Sequence, residues 1–391
     1  MKRIKNKWRD VLDIDKSVYA IIDGTRFKRH QREVKPLLYS DESVATDKTL
    51  WHRIDKDKAR PYAEKLCESL QNKTWRHKQP RYKRQYCRNR ASSKGKWRDL
   101  YIPCLDDHII AHMVMQASME AFARGMHPHC CGSVPDRGIA HVNRTVKRWM
   151  IGDKECRYFV KLDIRHFFDN IDRDKLVEVL RTKIADEDVM WVFEQIIDSA
   201  PIPCPVGYYT SPWFANLYLE KLDWFIEQQL YKIRRGKRIK FVRHYLRYVD
   251  DLLLIGTSKN DLRQSIHEIK RFLKEERGLE IKDSWEIKAI GKHYSDWQMK
   301  PNTYWCDIGG YKFCKDATIL RDGIFLETRR LAKKMSKQER FTVHQAMSIN
   351  SRIGWASHCN SKSFVKTQIE PFVNLKSTRR AVSDVSKNGK Q

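Results

Sequence analysis

No run of apolar residues in this 391-residue chain approaches the roughly 20 needed to cross a bilayer. The first residues, Met-Lys-Arg-Ile-Lys-Asn-Lys-Trp, lack the apolar stretch of a secretory leader. Ten cysteines are scattered without a Cys-x-x-Cys pair, which argues against a disulfide framework and for a reducing compartment. His127, His129, Cys130 and Cys131 are crowded, but their spacing is wrong for a zinc finger. No internal repeat is evident, so a solenoid or propeller is not expected. These absences lead us to expect a cytoplasmic protein with no membrane partner. Acidic residues are short as well: 49 Asp and Glu stand against 77 Lys and Arg, a net charge of +28. A surplus of that size points to a polyanionic partner, most simply nucleic acid.

The surplus is densest over residues 73–98, where Trp75, Tyr82, Tyr86 and Trp97 interleave with the bases. Basic side chains grip phosphates and aromatic rings stack on unpaired bases, so an RNA partner fits. A chain of this length buries a full core and divides into two or three subdomains.

Tyr248-Val-Asp250-Asp251 stands between the apolar runs Tyr245-Leu246 and Leu252-Leu253-Leu254-Ile255. The pattern reads as a β-hairpin with an acidic pair at its turn. Adjacent strand residues point to opposite faces, so only a bend presents both carboxylates together. Carboxylate oxygens suit hard divalent cations. Residues 157–163 alternate and are rich in strand formers, which predicts a strand ending in Asp163. On neighbouring strands, Asp163 and Asp250 could hold two Mg²⁺ ions about 3.5–4 Å apart, an arrangement suited to phosphoryl transfer. Phe167, Phe168 and Asn170-Ile171-Asp172 are expected to open the next helix, with Asp169 and Asp172 as acids favoured by its dipole.

Three segments resemble, in order, the palm motifs of reverse transcriptases: Val160-Lys-Leu-Asp163-Ile-Arg-His-Phe-Phe168, Gly207-Tyr-Tyr-Thr-Ser211-Pro212-Trp-Phe-Ala-Asn216-Leu, and Arg247-Tyr-Val-Asp-Asp251. The resemblance is to the bacterial lineage of group II introns, retrons, diversity-generating retroelements and defence-associated enzymes, and runs from about Arg84 to Phe372. It implies that Asp163, Asp250 and Asp251 form a catalytic, metal-binding triad, with the backbone carbonyl of Ile164 as a further ligand. Two Mg²⁺ ions are the implied cofactor, with Mn²⁺ as the alternative. A primer hydroxyl would attack the α-phosphate of an incoming nucleotide and release pyrophosphate. Phe168 stands where the family places an aromatic ring beneath the sugar, and a bulky ring there excludes a ribose 2′-OH and selects dNTPs. The loop Gly207–Ser211 would meet the template and the incoming base, which makes Gly207 and Ser211 nucleotide-binding. Residues 84–103 resemble the fingers hairpin that meets the triphosphate, with Lys96 and Arg98 neutralising phosphate charge. Arg88 and Arg90 in the same segment, Arg137 in Gly132-Ser-Val-Pro-Asp-Arg137-Gly138, and Tyr248 would contact template or primer. Asp307-Ile-Gly-Gly310-Tyr311-Lys-Phe313 resembles the primer-grip hairpin, which adds Gly310 and Tyr311.

Local chemistry fills in the scaffold. Ser211-Pro212 reads as a hydroxyl N-cap followed by Pro at the first helical position. Leu217, Leu222, Phe225, Ile226 and Leu230 continue that helix with one apolar face. Ser258-Lys-Asn-Asp261 starts another helix that Gly278 ends. Three details depart from close relatives. Val206 precedes the glycine where many carry Gln, Pro212 follows the serine where diversity-generating enzymes carry Gln, and residues 278–285 lack the lysine of group II intron enzymes.

The expected fold is α+β, a right hand with fingers, a palm built on an antiparallel catalytic sheet, and a helical thumb. The expected divisions are a basic N-terminal extension (1–60), fingers (61–155), palm (156–300), primer-grip hairpin (301–315), thumb (316–376) and a flexible tail (377–391). The expected activity is RNA-directed DNA polymerisation by a bacterial or phage-encoded enzyme. Its partners would be an RNA template, most simply a structured noncoding RNA, the DNA product and dNTPs, with a homo-oligomer or a second protein subunit also open. Anti-phage defence is the expected setting, because no Cys/His-rich endonuclease module follows the thumb and Pro212 departs from the diversity-generating pattern. A diversity-generating role, template-independent or protein-primed synthesis, and an RNA-binding scaffold are the alternatives.

Overall fold

The computed structural model describes residues 3–46, 53–87, 95–292 and 300–388. Among them, twelve strands make four sheets. β1 (Arg81–Cys87) and β2 (Lys96–Ile102) form an antiparallel hairpin. A five-stranded sheet has the order β3-β7-β8-β4-β9, from β3 (Cys130–Cys131), β4 (Tyr158–Asp163), β7 (His244–Tyr248), β8 (Asp251–Gly256) and β9 (Lys288–Ala289). β5 (Tyr231–Arg234) and β6 (Lys237–Lys240) form a separate ribbon. β10 (Cys306–Ile308), β11 (Tyr311–Phe313) and β12 (Thr318–Leu320) complete a small antiparallel sheet. No helix of the described residues is long and apolar enough to cross a membrane.

β8 reads as an unbroken apolar run because the large sheet is covered on both faces. Leu252 and Leu254 join Val160 and Leu162 in one core, together with the helices Ser211–Tyr218 and Glu220–Gln228. Leu253 and Ile255 join Phe159 and Leu246 in a second core, beneath the helix Ile139–Gly152 and the β10–β12 sheet. Alternate residues of one strand therefore feed two cores. The helices Leu105–Ala123, Lys56–Gln71 and Ile14–Gly24 extend the first core toward the β1–β2 hairpin. The helices Asp322–Ser336, Val343–Ala356 and Leu375–Asn388 form the C-terminal bundle.

Several local expectations are corrected. Ser211 is the first helical residue and Thr210 the N-cap. The helix also breaks at Leu219, so two short helices replace one long one. Residues 165–170 are turns, and the next helix starts at Arg173 with Asp172 accepting the Lys175 N–H at 2.9 Å. The N-terminal residues do not stand apart. Ile4 exchanges backbone hydrogen bonds with Lys183 (2.8 Å) and Ala185 (3.0 Å), and Val11, Val18, Ile21 and Leu38 are buried in the main core. The Ser/Lys-rich segment 377–388 is not a free tail. It is helical to Asn388, and Thr378 is buried with its hydroxyl donating to Asn350 at 2.8 Å.

One buried charge organises the centre of the fold. Arg247 on β7 is fully buried and paired with equally buried Asp223 through Nε and Nη2, each at 2.7 Å. Its other hydrogens go to Asn216 Oδ1 (3.0 Å), the Asn216 carbonyl (3.2 Å), Cys130 Sγ (3.1 Å) and the Val249 carbonyl (3.0 Å). Tyr245 donates to the same Asp223 at 2.7 Å. Removing one partner of a buried pair leaves an uncompensated charge. Asp223→Ala is therefore expected to destabilise the protein by about 3–5 kcal/mol in urea denaturation. The Arg247→Met/Asp223→Leu pair, which buries no charge, is expected to recover most of that loss.

Candidate active site

The β7–β8 hairpin pairs Tyr248 with Asp251, leaving Val249 and Asp250 as its two turn residues. Two-residue hairpin loops need positive φ to match the strand twist, and glycine is the usual answer. Here Val249 takes φ +58°, a strained place for a β-branched side chain. Two bonds hold it: its N–H donates to the Cys131 carbonyl at 3.2 Å, and its carbonyl accepts from Arg247. The turn thus stands on the buried Arg247–Asp223 pair.

β4 runs antiparallel to β8, and the register sets Asp163 directly opposite Asp251. All three aspartates therefore gather at one end of the sheet. Burial and the facing Asp251 and Asp163 carboxylates push Asp250 above the usual carboxylate range. Burial also pushes Asp251 up, opposed by Lys161 and reinforced by Asp163. Crowded acids that repel one another favour a divalent cation, and an all-oxygen donor set fits Mg²⁺ or Mn²⁺. Ile164 bridges to Ile281 through flanking bonds, from Lys282 N–H to the Asp163 carbonyl and from Arg165 N–H to the Glu280 carbonyl. Neither bond uses the Ile164 carbonyl.

Among the described residues, the group of three metal-capable side chains with ligand atoms all within 4.8 Å of one another is Asp153, Cys156 and His244. That cluster is already satisfied. Burial works against the Asp153 charge, but hydrogen bonds from Arg243, the Glu155 N–H and His244 hold it down at about 2. Burial pushes the Cys156 thiol up to about 12, so it stays protonated. The three aspartates are not grouped within that distance of one another. At the crowded His127–Cys131 segment, burial pushes the Cys130 and Cys131 thiols up to about 11 and about 12, and neither offers a thiolate.

The other expected site residues divide. Phe168 is half-buried beside buried Phe167, ring centroids 5.3 Å apart. Gly207 has φ +118°, and a Cβ there would meet the Tyr101 carbonyl at 2.3 Å, so only glycine fits against β2. Ser211 is buried and its hydroxyl donates to the Pro205 carbonyl at 2.8 Å, which braces the loop. Lys96 and Arg98 are exposed on one face of the β1–β2 hairpin, and Tyr82, Tyr86 and Trp97 are exposed on the other. Arg88 and Arg90 lie outside the described residues. Arg137 is half-buried and donates through Nη1 to the His127 carbonyl at 2.9 Å, which braces its loop.

Tyr248, Asp251, Gly310, Arg321 and Trp355 line a cavity of about 450 Å³ between the sheet and the C-terminal helices. Gly309 and Gly310 make its floor at φ +59° and +83°, a two-residue turn, and a Cβ on Gly310 would stand 2.6 Å from the Trp355 ring. Tyr311 is buried and donates to the Trp355 carbonyl at 3.1 Å, so its backbone turn, not its ring, faces the cavity.

Residue-by-residue reading missed three groups. Lys282 puts its ammonium 2.7 Å from Asp163 Oδ1, although its segment was expected to lack a lysine at this place. Arg321 pairs with Asp307 through Nε at 2.7 Å and faces Asp251. Arg247 and Asp223 support the turn from below. Arg247 alone left a signal, a charged residue inside an otherwise apolar strand.

Residues 78–284 match the family described as reverse transcriptase (RNA-dependent DNA polymerase). Protein YkfC of Escherichia coli K12 is 25% identical over 196 residues, covering 42% of this chain and 51% of YkfC. The group II intron-encoded protein LtrA of Lactococcus lactis subsp. cremoris is 26% identical over 250 residues, covering 61% of this chain and 39% of LtrA. The retron Ec73 reverse transcriptase of Escherichia coli is 25% identical over 302 residues, covering 73% of this chain and 86% of that protein. The chain thus spans about half the length of YkfC and less of LtrA. Among solved structures, apo telomerase from Candida tropicalis aligns with 80% of this chain and 63% of its own, at a TM-score of 0.48 and 10% identity.

The raised carboxyls carry a sign that can be measured. A group whose folded pKa is raised favours the folded state while protonated, and that contribution is lost as pH climbs through the usual carboxylate range to the folded pKa. At neutral pH the unneutralised Asp250 and Asp251 are therefore destabilising. In thermal scans at pH 7 with chelator, Asp250→Asn is expected to melt a few degrees above the unsubstituted protein. Added Mg²⁺ is expected to raise the melting temperature of the unsubstituted protein and to raise that of Asp250→Asn less.

Proposed function

The chain belongs to the reverse transcriptase (RNA-dependent DNA polymerase) family, and we propose that it extends a primer hydroxyl with dNTPs on an RNA template. The observation that carries this reading is the register that sets Asp163 opposite Asp251, with Asp250 in the adjoining turn. Two divalent ions held by these carboxylates and the Ile164 carbonyl would activate the attacking hydroxyl and stabilise the leaving oxygen. The protein's own part is to fix the carboxylates on two rigid strands, so that no reorganisation is needed as charge develops. Lys282, paired with Asp163, and Arg321, which acts on Asp251, supply fixed positive charge at the triad. The turn Gly309-Gly310 brings backbone close to the cavity beside Asp251, where a primer end would rest. Phe168, in the turn that follows β4, is the residue proposed to exclude a 2′-hydroxyl.

For the biological setting we favour anti-phage defence with a structured noncoding RNA as template, which Pro212 after Ser211 supports. Val206 before Gly207 favours a diversity-generating element instead. Phage resistance that disappears with Asp250→Ala is the expected outcome, and an adjacent template-repeat/variable-repeat pair would select the second setting.

The chemistry has its own test. With a DNA primer on an RNA template and Mg²⁺, the protein should incorporate labelled dNTPs, and Asp250→Ala should lose more than about a hundredfold, the scale of removing one transition-state stabiliser. Phe168→Ala should incorporate NTPs and dNTPs more nearly equally. Incorporation of NTPs in preference to dNTPs by the unsubstituted protein would overturn the role given to Phe168.

A further inference from the structure

We propose that the β5–β6 ribbon docks on the phosphate backbone of a folded RNA helix, at a contact separate from the catalytic cleft. Residues 231–240 carry six basic side chains and no acid. The ribbon sits where β7 begins and β8 ends, the opposite end of the sheet from Asp250 and Asp251. The length of β8 alone separates the two by about 17 Å. A groove of about 770 Å³ opens between the ribbon and that end of the sheet, lined in part by Arg234, Arg238, Lys240 and Arg243.

The ribbon is anchored at its base and free at its tip. Lys232 pairs with Asp261 at 2.6 Å and Lys240 pairs with Glu227, which ties the open ends of both strands to helices of the palm. Beyond them, Arg234, Arg235 and Lys237 have no carboxylate within 4.0 Å among the described residues. The tip is a two-residue turn in which Arg235 and Gly236 both have positive φ, +51° and +71°. Asn or Gly would sit there with less strain, yet a cation occupies the outermost position. Register puts Arg238 and Lys240 on one face and Lys232, Arg234 and Lys237 on the other, so both faces present positive charge.

Charge of one sign on a narrow, solvated ribbon complements a polyphosphate backbone. The aromatic that could stack on an unpaired base is engaged already: the Arg238 guanidinium lies 4.2 Å over the Tyr231 ring and donates to its hydroxyl at 2.9 Å. That leaves phosphate and shape recognition, the mode by which paired RNA is read. The choice of RNA rests on the reading above that the template is RNA, whose folded part would lie beyond the copied stretch.

The test uses the full chain, an RNA stem-loop with no free template or primer end, and binding measured over a range of salt. With Arg234, Arg235, Lys237 and Arg238 all changed to Gln, affinity should fall at least about tenfold, and the slope of log affinity against log salt should shallow by roughly two to four. Extension of a short primer–template at saturating concentration should stay within about twofold, since phosphate contacts at the ribbon do not enter the chemical step. Changing the three arginines to Lys should keep binding, which separates lost charge from a damaged fold, and Ile233→Ser should leave it unchanged.

An unaltered affinity and slope in the Gln variant would overturn the proposal. Equal loss on the short primer–template would also overturn it, by placing the ribbon in the catalytic cleft. Loss of stem-loop binding on Ile233→Ser would overturn it in favour of an apolar contact through that exposed side chain. If the unsubstituted protein binds the stem-loop through the ribbon but extends no primer, the polymerase reading fails and this inference stands.

Discussion

Everything at the aspartate-bearing end of the sheet rests on one desolvated ion pair. Arg247 and Asp223 have no exposed side-chain surface, and either alone would be an uncompensated charge in the core. Together, with Asn216, Cys130, Tyr245 and the Val249 carbonyl, they use the donors and acceptors that burial would otherwise strand. The geometry of that network leaves the turn little freedom. Val249 keeps an unfavourable φ because its amide and carbonyl are both claimed from outside the turn. The backbone of Asp250 and the start of β8 are placed as a consequence.

The same centre links the parts of the hand. Asn216 lies in the helix that follows the Gly207–Ser211 loop, and its amide donates to the Gly132 carbonyl at 2.9 Å. That loop meets the β1–β2 hairpin where Tyr101 N–H donates to the Val206 carbonyl at 2.9 Å. On the other face, Tyr248 and Asp251 border the cavity shared with the Gly309-Gly310 turn and Trp355. Fingers, palm and C-terminal helices therefore all touch elements that Arg247 holds. Mutually repelling carboxylates are kept together by a scaffold buried on both sides, the arrangement a pair of divalent ions would then relieve.

How much of this was legible depended on the range of the interaction. The strand ending in Asp163 followed from period-two patterning and the Tyr248–Asp251 hairpin from an acidic pair flanked by strand formers, but Asp250, expected on the strand beside Asp163, lies in the turn, and Asp251 takes that place. The split of the Ser211 helix at Leu219 did not follow, because apolar spacing stays helical across the break. Ser211 itself was misplaced by one position, since its hydroxyl prefers the Pro205 carbonyl to the cap. The helix Leu375–Asn388 was hidden by its Ser and Lys content, and its inward face includes Thr378, which composition does not mark as core. Lys282 reaches Asp163 only through the Ile164–Ile281 bridge, a long-range pairing with no local signature. Asp223 carries no local signature, because it sits in an amphipathic helix and its partner lies 24 residues further on.

The decisive measurement asks where a divalent ion sits. Fe²⁺ bound in place of Mg²⁺, with ascorbate and peroxide, cuts the chain next to its own site. Cleavage confined to the neighbourhoods of Asp163 and of Tyr248–Asp251, abolished by excess Mg²⁺ and by Asp250→Asn, is the result expected here. Cleavage around Asp153, Cys156 and His244 instead, with the aspartate segments intact, would contradict the assignment of the triad as the metal centre.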